Sequence, residues 1–154
     1  MPDPNSDPII AARRRALSAV AMAPAALLGE RYEALAGTAP DAIPVRGPEV
    51  GLVMLRGRAG GGGAPFNLGE ASVCRATVRL ASGEVGHAMV LGRDVRKVRM
   101  AAHLDALWQH PEWRERVGEI VEAALAAEVA ERAERDAQTA ATRVDFFTVA
   151  RGED

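Results

Sequence analysis

Four things are scarce in this 154-residue chain. It has one cysteine, Cys74, so an internal disulfide is excluded and a reducing compartment fits. It has one lysine, Lys97; the other 18 of its 19 basic residues are arginines. Arginine suits carboxylate and phosphate pairing, but a chain this rich in Ala and Gly also carries arginine as composition bias. Aromatics are few: Tyr32, Phe66, Trp108, Trp113, Phe146 and Phe147, 4% of residues, so the core must be built from Ala, Leu and Val. No run of about 18 apolar residues occurs, so no membrane-spanning helix is expected. The start, MPDPNSDP, lacks the basic-then-apolar order of a signal peptide. A net charge of −2 gives no whole-molecule pull toward nucleic acid. A cytoplasmic α+β protein of one domain, residues 9–142, is the expectation, with a disordered tail at 1–8.

Pro8 suits a first helical turn, and Ile9, Ala12, Ala16 and Val20 follow at helical spacing. Pro24 interrupts; Leu27, Leu28, Tyr32 and Leu35 define a second helix that Gly37 ends. The period then changes. Ile43–Arg46 is a short strand candidate and Gly47–Pro48–Glu49 a turn. Val50–Arg56 is apolar on both faces, which predicts a central strand. Ala71–Leu80 alternates, with Cys74, Ala76, Val78 and Leu80 inward. A hairpin turn at Ala81–Glu84 leads to a strand over Val85–Leu91. Three or four antiparallel strands are implied, because no helix separates them. Asp94 can cap a helix that runs to about Gln109, and His110–Pro111 breaks it. A long last helix covers roughly Glu112–Thr142, with Glu128–Arg132 and Glu131–Arg135 as i, i+4 pairs. Beyond Val129 that helix offers almost only Ala, as expected of a segment that leaves the body.

The final residues, RVDFFTVARGED (143–154), hold two adjacent phenylalanines. Free tails normally lack such residues, so this segment reads as an extended docking tail, with Arg143, Asp145, Phe146, Phe147 and Arg151 as interface candidates.

No self-contained active site emerges. The glycine run at 60–63 lacks the Lys-Ser/Thr that a nucleotide-binding loop needs, and Ala64–Pro65 follow instead. A strand rather than a helix comes next, against a dinucleotide fingerprint. Bare amides can still make an anion nest. The run therefore reads as a turn or an interface loop, with Arg58, Gly60, Gly61, Gly63 and Phe66 as contacts. The competing reading is a stand-alone phosphate- or nucleotide-binding enzyme using this loop with Arg58 and Arg93. Cys74 reads as an inert buried thiol. His87, His103 and His110 lack metal-ligand spacing, so no metal is expected. His103 and Asp105 share a helix but not a face, which excludes an acid–base dyad. Arg13–Arg14–Arg15 reads as a solvated helical turn, and the carboxylates on helices as solvated pairs.

In order along the chain, Glu49 to Val53, Arg58 with the glycines through Phe66, Gly69 to Arg75, Gly86–His87, Gly92–Arg93–Asp94, Asp105–Ala106–Leu107 and Arg143 to Phe147 resemble one family. That family is PhnG, a subunit of the bacterial carbon–phosphorus lyase system, and the resemblance runs from about Arg13 to Gly152. It implies a cytoplasmic hetero-oligomer for phosphonate catabolism with PhnH-, PhnI-, PhnJ- and PhnL-like partners. In that complex a phosphonate displaces adenine from MgATP, giving a ribose 1-phosphonate 5-triphosphate. S-adenosylmethionine and an iron–sulfur cluster serve a later step on another subunit. The resemblance places the chemistry on the PhnI-like partner and gives this chain no cofactor and no catalytic residue. One cysteine agrees with that, since such clusters normally take four thiolates.

Overall fold

Asp7 opens the first helix: its carboxylate accepts the Ile9 N–H at 2.8 Å, and Pro8 occupies the first turn, where no N–H is needed. The computed structural model describes residues 7–58 and 62–141. The expected N-terminal tail (up to residue 6), Gly60 and Gly61, and the docking tail lie outside them.

Helix α1 spans Pro8–Met22 and α2 Ala25–Ala36, meeting at Ala23–Pro24 as the proline predicts. Three strands follow, β1 (Ile43–Gly57), β2 (Phe66–Arg79) and β3 (Val85–Leu91), in the order β1-β2-β3 and all antiparallel. Helix α3 (Val95–Gln109) starts on Asp94, whose side chain accepts from Lys97 N at 2.8 Å. Helix α4 (Arg114–Ala141) ends the described chain. The fold is the expected α+β arrangement with a long last helix.

Two expectations about the sheet need correction. Gly47–Pro48–Glu49 does not separate two strands; it is an irregularity inside one long strand, with register shifts on both sides of Arg46. Gly47 takes φ 71°, and a Cβ there would meet the Arg75 carbonyl at 2.7 Å. Pro48 is tolerated because β1 is an edge strand and a bulge asks for no ladder donor at that point. The second correction follows: Val50–Arg56 is not central. β2 is, and it begins at Phe66 rather than Ala71.

The core lies between the sheet and the helices. Cys74, Ala76 and Val78 of β2, and Leu80 just after it, are all buried, as their alternation predicts. Every residue of α3 from Met100 to Leu107 is buried as well. Leu28, Leu80, Leu104 and Leu107 are the largest side chains fully enclosed, each worth about 1.5–3 kcal/mol of transfer free energy. With few aromatics available, alanines set the spacing. A Cβ on Gly86 would sit 2.0 Å from the Ala102 carbonyl and 2.5 Å from Ala106 N, so β3 and α3 touch backbone to backbone.

An ion pair between a partly exposed arginine and a buried carboxylate fixes how α1 joins this layer. Asp105, with its side chain fully enclosed, accepts from Arg13 Nε at 2.8 Å and from Arg13 Nη2 at 2.7 Å. It also accepts the His87 backbone N–H at 2.8 Å. Arg13 and Gln109 both donate to the Val85 carbonyl, at 3.3 and 2.8 Å. Polar groups on the β3 edge are thereby satisfied by side chains of α1 and α3. The solvated reading of Arg13 is corrected: its fork spans three elements, and the carboxylate it meets is not a surface one. Its pKa is raised, chiefly by the hydrogen bond to Asp105. At the other end of α1, the single lysine donates Nζ to the Ala21 carbonyl at 2.7 Å, a C-terminal cap from α3.

His103 is structural. Its Nε2 lies 2.9 Å from the Pro40 carbonyl, an acceptor only, so Nε2 carries the proton. Nδ1 then accepts from the Tyr32 hydroxyl at 2.8 Å, joining α2 to α3. Burial lowers the His103 pKa, partly opposed by the Pro40 hydrogen bond.

Two predictions follow from these buried groups. Asp105→Ala removes the acceptor of the buried His87 N–H and of the partly exposed Arg13 guanidinium, and should cost about 1–3 kcal/mol in urea unfolding; a cost below about 0.5 kcal/mol would contradict the role given to the pair. For His103 the unfolded chain binds the proton more readily than the fold does. Stability should therefore fall as pH drops through the ordinary histidine value near about 6.5. His103→Gln should reduce that slope, measured as unfolding free energy between about pH 7.5 and about pH 5.5.

Candidate functional site

The sheet has an arm. β3 pairs with β2 only from Val73 to Arg79, so Phe66–Ser72 has β1 as its sole strand partner, and at the base the Ser72 carbonyl also accepts the Gly92 N–H at 2.8 Å. Leu52 lies opposite Ser72 and Met54 opposite Glu70, continuing the face that carries Cys74 and Val50. Where α3 covers that face, Cys74 is enclosed; on the arm, Leu52 is 60% exposed and Met54 52%. Leu55, Phe66 and Leu68 are exposed too, as are Met89, Leu91 and Val95 where the arm leaves the body. A two-stranded ribbon is marginal alone, and apolar groups grouped in this way mark an interaction surface. That is why Val50–Arg56 carries apolar residues on both faces without being central.

Arg58, Gly63 and Phe66 all belong to the tip of this arm and are exposed. Gly60, Gly61, Arg143, Asp145, Phe146, Phe147 and Arg151 lie outside the described residues. Arg93 is exposed in the β3–α3 connection, on a different loop from Arg58. Gly62 and Gly63 lie between the end of β1 at Gly57 and the start of β2 at Phe66.

Chemistry is sparse. Cys74 is fully buried. Among the described residues no three His, Cys, Asp or Glu side chains are grouped to hold a metal. Helix α4 is exposed from Val129 onward, and both predicted pairs form: Arg132 to Glu128 at 2.9 Å and Arg135 to Glu131 at 3.5 Å.

One charged cluster was not anticipated. Glu49 accepts from Arg75 Nε at 2.6 Å and from Arg46 Nε at 2.9 Å. The hydrogen bond from Arg75, above all, lowers the Glu49 pKa. The three residues are brought together by the β1 bulge, which a reading of turns and strands hides. Strand pairing of Glu49 with Arg75 would have been the signal, had the register been legible.

Two comparisons bear on this surface. Residues 11–152 match the family described as phosphonate metabolism protein PhnG. The chain is also 49% identical over 150 residues to the alpha-D-ribose 1-methylphosphonate 5-triphosphate synthase subunit PhnG of Rhizobium meliloti (strain 1021). That alignment covers 97% of this chain and 96% of the relative. An exposed apolar arm on a body with a sparse chemical inventory is what a subunit presents, and on these matches the chain belongs to the PhnG family of phosphonate metabolism proteins.

Proposed function

We propose that this chain is a subunit of a bacterial ribose 1-methylphosphonate 5-triphosphate synthase in phosphonate catabolism, and that it serves the assembly rather than the bond-making step. The observation that carries this is the near-full-length relative, itself a subunit of that synthase. The reaction transfers a phosphonate onto the ribose of MgATP and releases adenine. PhnH-, PhnI- and PhnL-like subunits are the proposed partners in that step, with a PhnJ-like subunit in the same core. The PhnI-like partner carries the catalytic residues, and S-adenosylmethionine with an iron–sulfur cluster acts on another subunit. The site of action is the cytoplasm; no described helix is long and apolar enough to cross a membrane.

The contact surface in this proposal is the arm together with the tail. Leu52, Met54 and Phe66 supply apolar anchors, Arg58 and the glycines (Gly60, Gly61, Gly63) supply the tip, and Arg143, Asp145, Phe146, Phe147 and Arg151 supply a second segment. Burial of such anchors is what dominates an interface. A stand-alone enzyme built on Arg58, Arg93 and the glycine run finds no support, since the near-full-length relative is a synthase subunit.

Co-expression with the partner genes and a pull-down on this chain test the proposal. Leu52→Glu with Met54→Glu should abolish co-purification while the isolated chain keeps its melting temperature. Phe146→Ala with Phe147→Ala should weaken it about thirtyfold, for a central anchor worth about 2 kcal/mol. Undiminished recovery of partners with both double variants would defeat the surface. Release of adenine from ATP and methylphosphonate by the purified chain alone would defeat the subunit reading.

A further inference from the structure

A concavity of about 430 Å³ opens between α1 and the solvent face of the sheet. Its floor is set by strand register. Arg46 pairs with Thr77, Thr77 with His87, and Arg75 with Met89, so these five side chains share one face. Leu17 of α1 forms part of the facing wall. The concavity thus has Arg46, Arg75, Thr77 and His87 beside Met89 on its floor, and Leu17, Ser18 and Ala21 on its α1 wall.

The cations are held but not used up. Arg46 and Arg75 each spend Nε on Glu49, at 2.9 and 2.6 Å. Among the described residues their terminal amino groups have no hydrogen-bond partner. Two guanidinium groups against one carboxylate leave one positive charge at the rim. The Thr77 hydroxyl lies 3.0 Å from His87 Nδ1, and among the described residues Nε2 of that ring is unpartnered. Paired amino forks match the spacing of oxygens on a tetrahedral oxyanion. Both Nε groups donate to the same Glu49 oxygen, which restrains the two side chains, so less rotamer freedom is lost when an anion arrives.

We propose that this concavity is a binding subsite for organophosphonates, with the phosphonate oxygens on Arg46 and Arg75 and the organic substituent against Leu17 and Met89. An organophosphonate has both halves that the walls ask for: three oxygens at one end and carbon at the other. Inorganic phosphate satisfies only the first half. The choice of phosphorus over a carboxylate rests on the functional reading above; the mixed lining does not.

Titration of the purified full chain with propylphosphonate, inorganic phosphate and butyrate, followed by calorimetry, tests the subsite. The expected result is one saturable site that prefers propylphosphonate to phosphate by about fivefold or more, since each buried methylene contributes about fourfold. Butyrate should bind more weakly than propylphosphonate. Arg75→Gln should weaken propylphosphonate binding by about tenfold, the scale of one charge-assisted hydrogen bond. Met89→Glu should abolish it. Both positions are exposed, and an unchanged circular-dichroism melt shows that each variant folds. Equal affinity for phosphate and propylphosphonate overturns the proposal, as does equal affinity for butyrate or insensitivity to Arg75→Gln. A chain that co-purifies with its partners yet binds no phosphonate overturns the subsite alone. A chain that binds phosphonate at this site yet recruits no partner upholds the subsite and sinks the subunit reading.

Discussion

The bidentate contact of Arg13 with buried Asp105 is the constraint from which the architecture follows. One carboxylate takes both edges of a guanidinium and a β3 backbone N–H, so α1, β3 and α3 are held at one point. With Gln109 it also satisfies polar groups on the β3 edge that would otherwise invite another strand. One side of the sheet is thereby closed by helices. The other side, β1, keeps its edge, and the growth of the ribbon continues there.

The scarcity of aromatics explains the division between body and arm. Alanines and Gly86 let α3 lie directly on β3, which gives a thin, closely packed core. Such a core has no reach beyond Cys74, and the β1–β2 ribbon outruns it. Leu52, Met54, Phe66 and Leu68 are then left in water by geometry rather than by polarity. A chain that spends so many of its larger apolar side chains outside its own core has arranged for something else to cover them.

How much of this was legible in the sequence depends on the kind of signal. Helical spacing, Pro24, the Asp94 cap and the alternation from Cys74 to Leu80 are local, and each led to the element observed. Three features were not local. The bulge at Gly47–Pro48 reads as a turn because the same residue types make both. Apolar residues on both faces of Val50–Arg56 fit a central strand and a covered edge equally well. Asp105 reads as a surface carboxylate only if its neighbours are ignored: it stands between Leu104 and Ala106 in a helix with no polar face from Met100 to Leu107. That run was the available sign that Asp105 and His103 are buried and partnered. Which arginine would reach Asp105 across 92 positions was beyond any local pattern. Of the interface candidates, the tip residues Arg58, Gly63 and Phe66 do fall together on the arm, whereas the basic concavity, assembled by register, went unread.

The central claim is that the arm is covered when the complex forms. Amide hydrogen exchange, compared between the free chain and the co-purified assembly, tests it most directly. The account predicts strong added protection over residues 50–57 and 66–72, with little change in α3, whose residues from Met100 to Leu107 are already buried. Unchanged exchange along the arm in an intact assembly would contradict it.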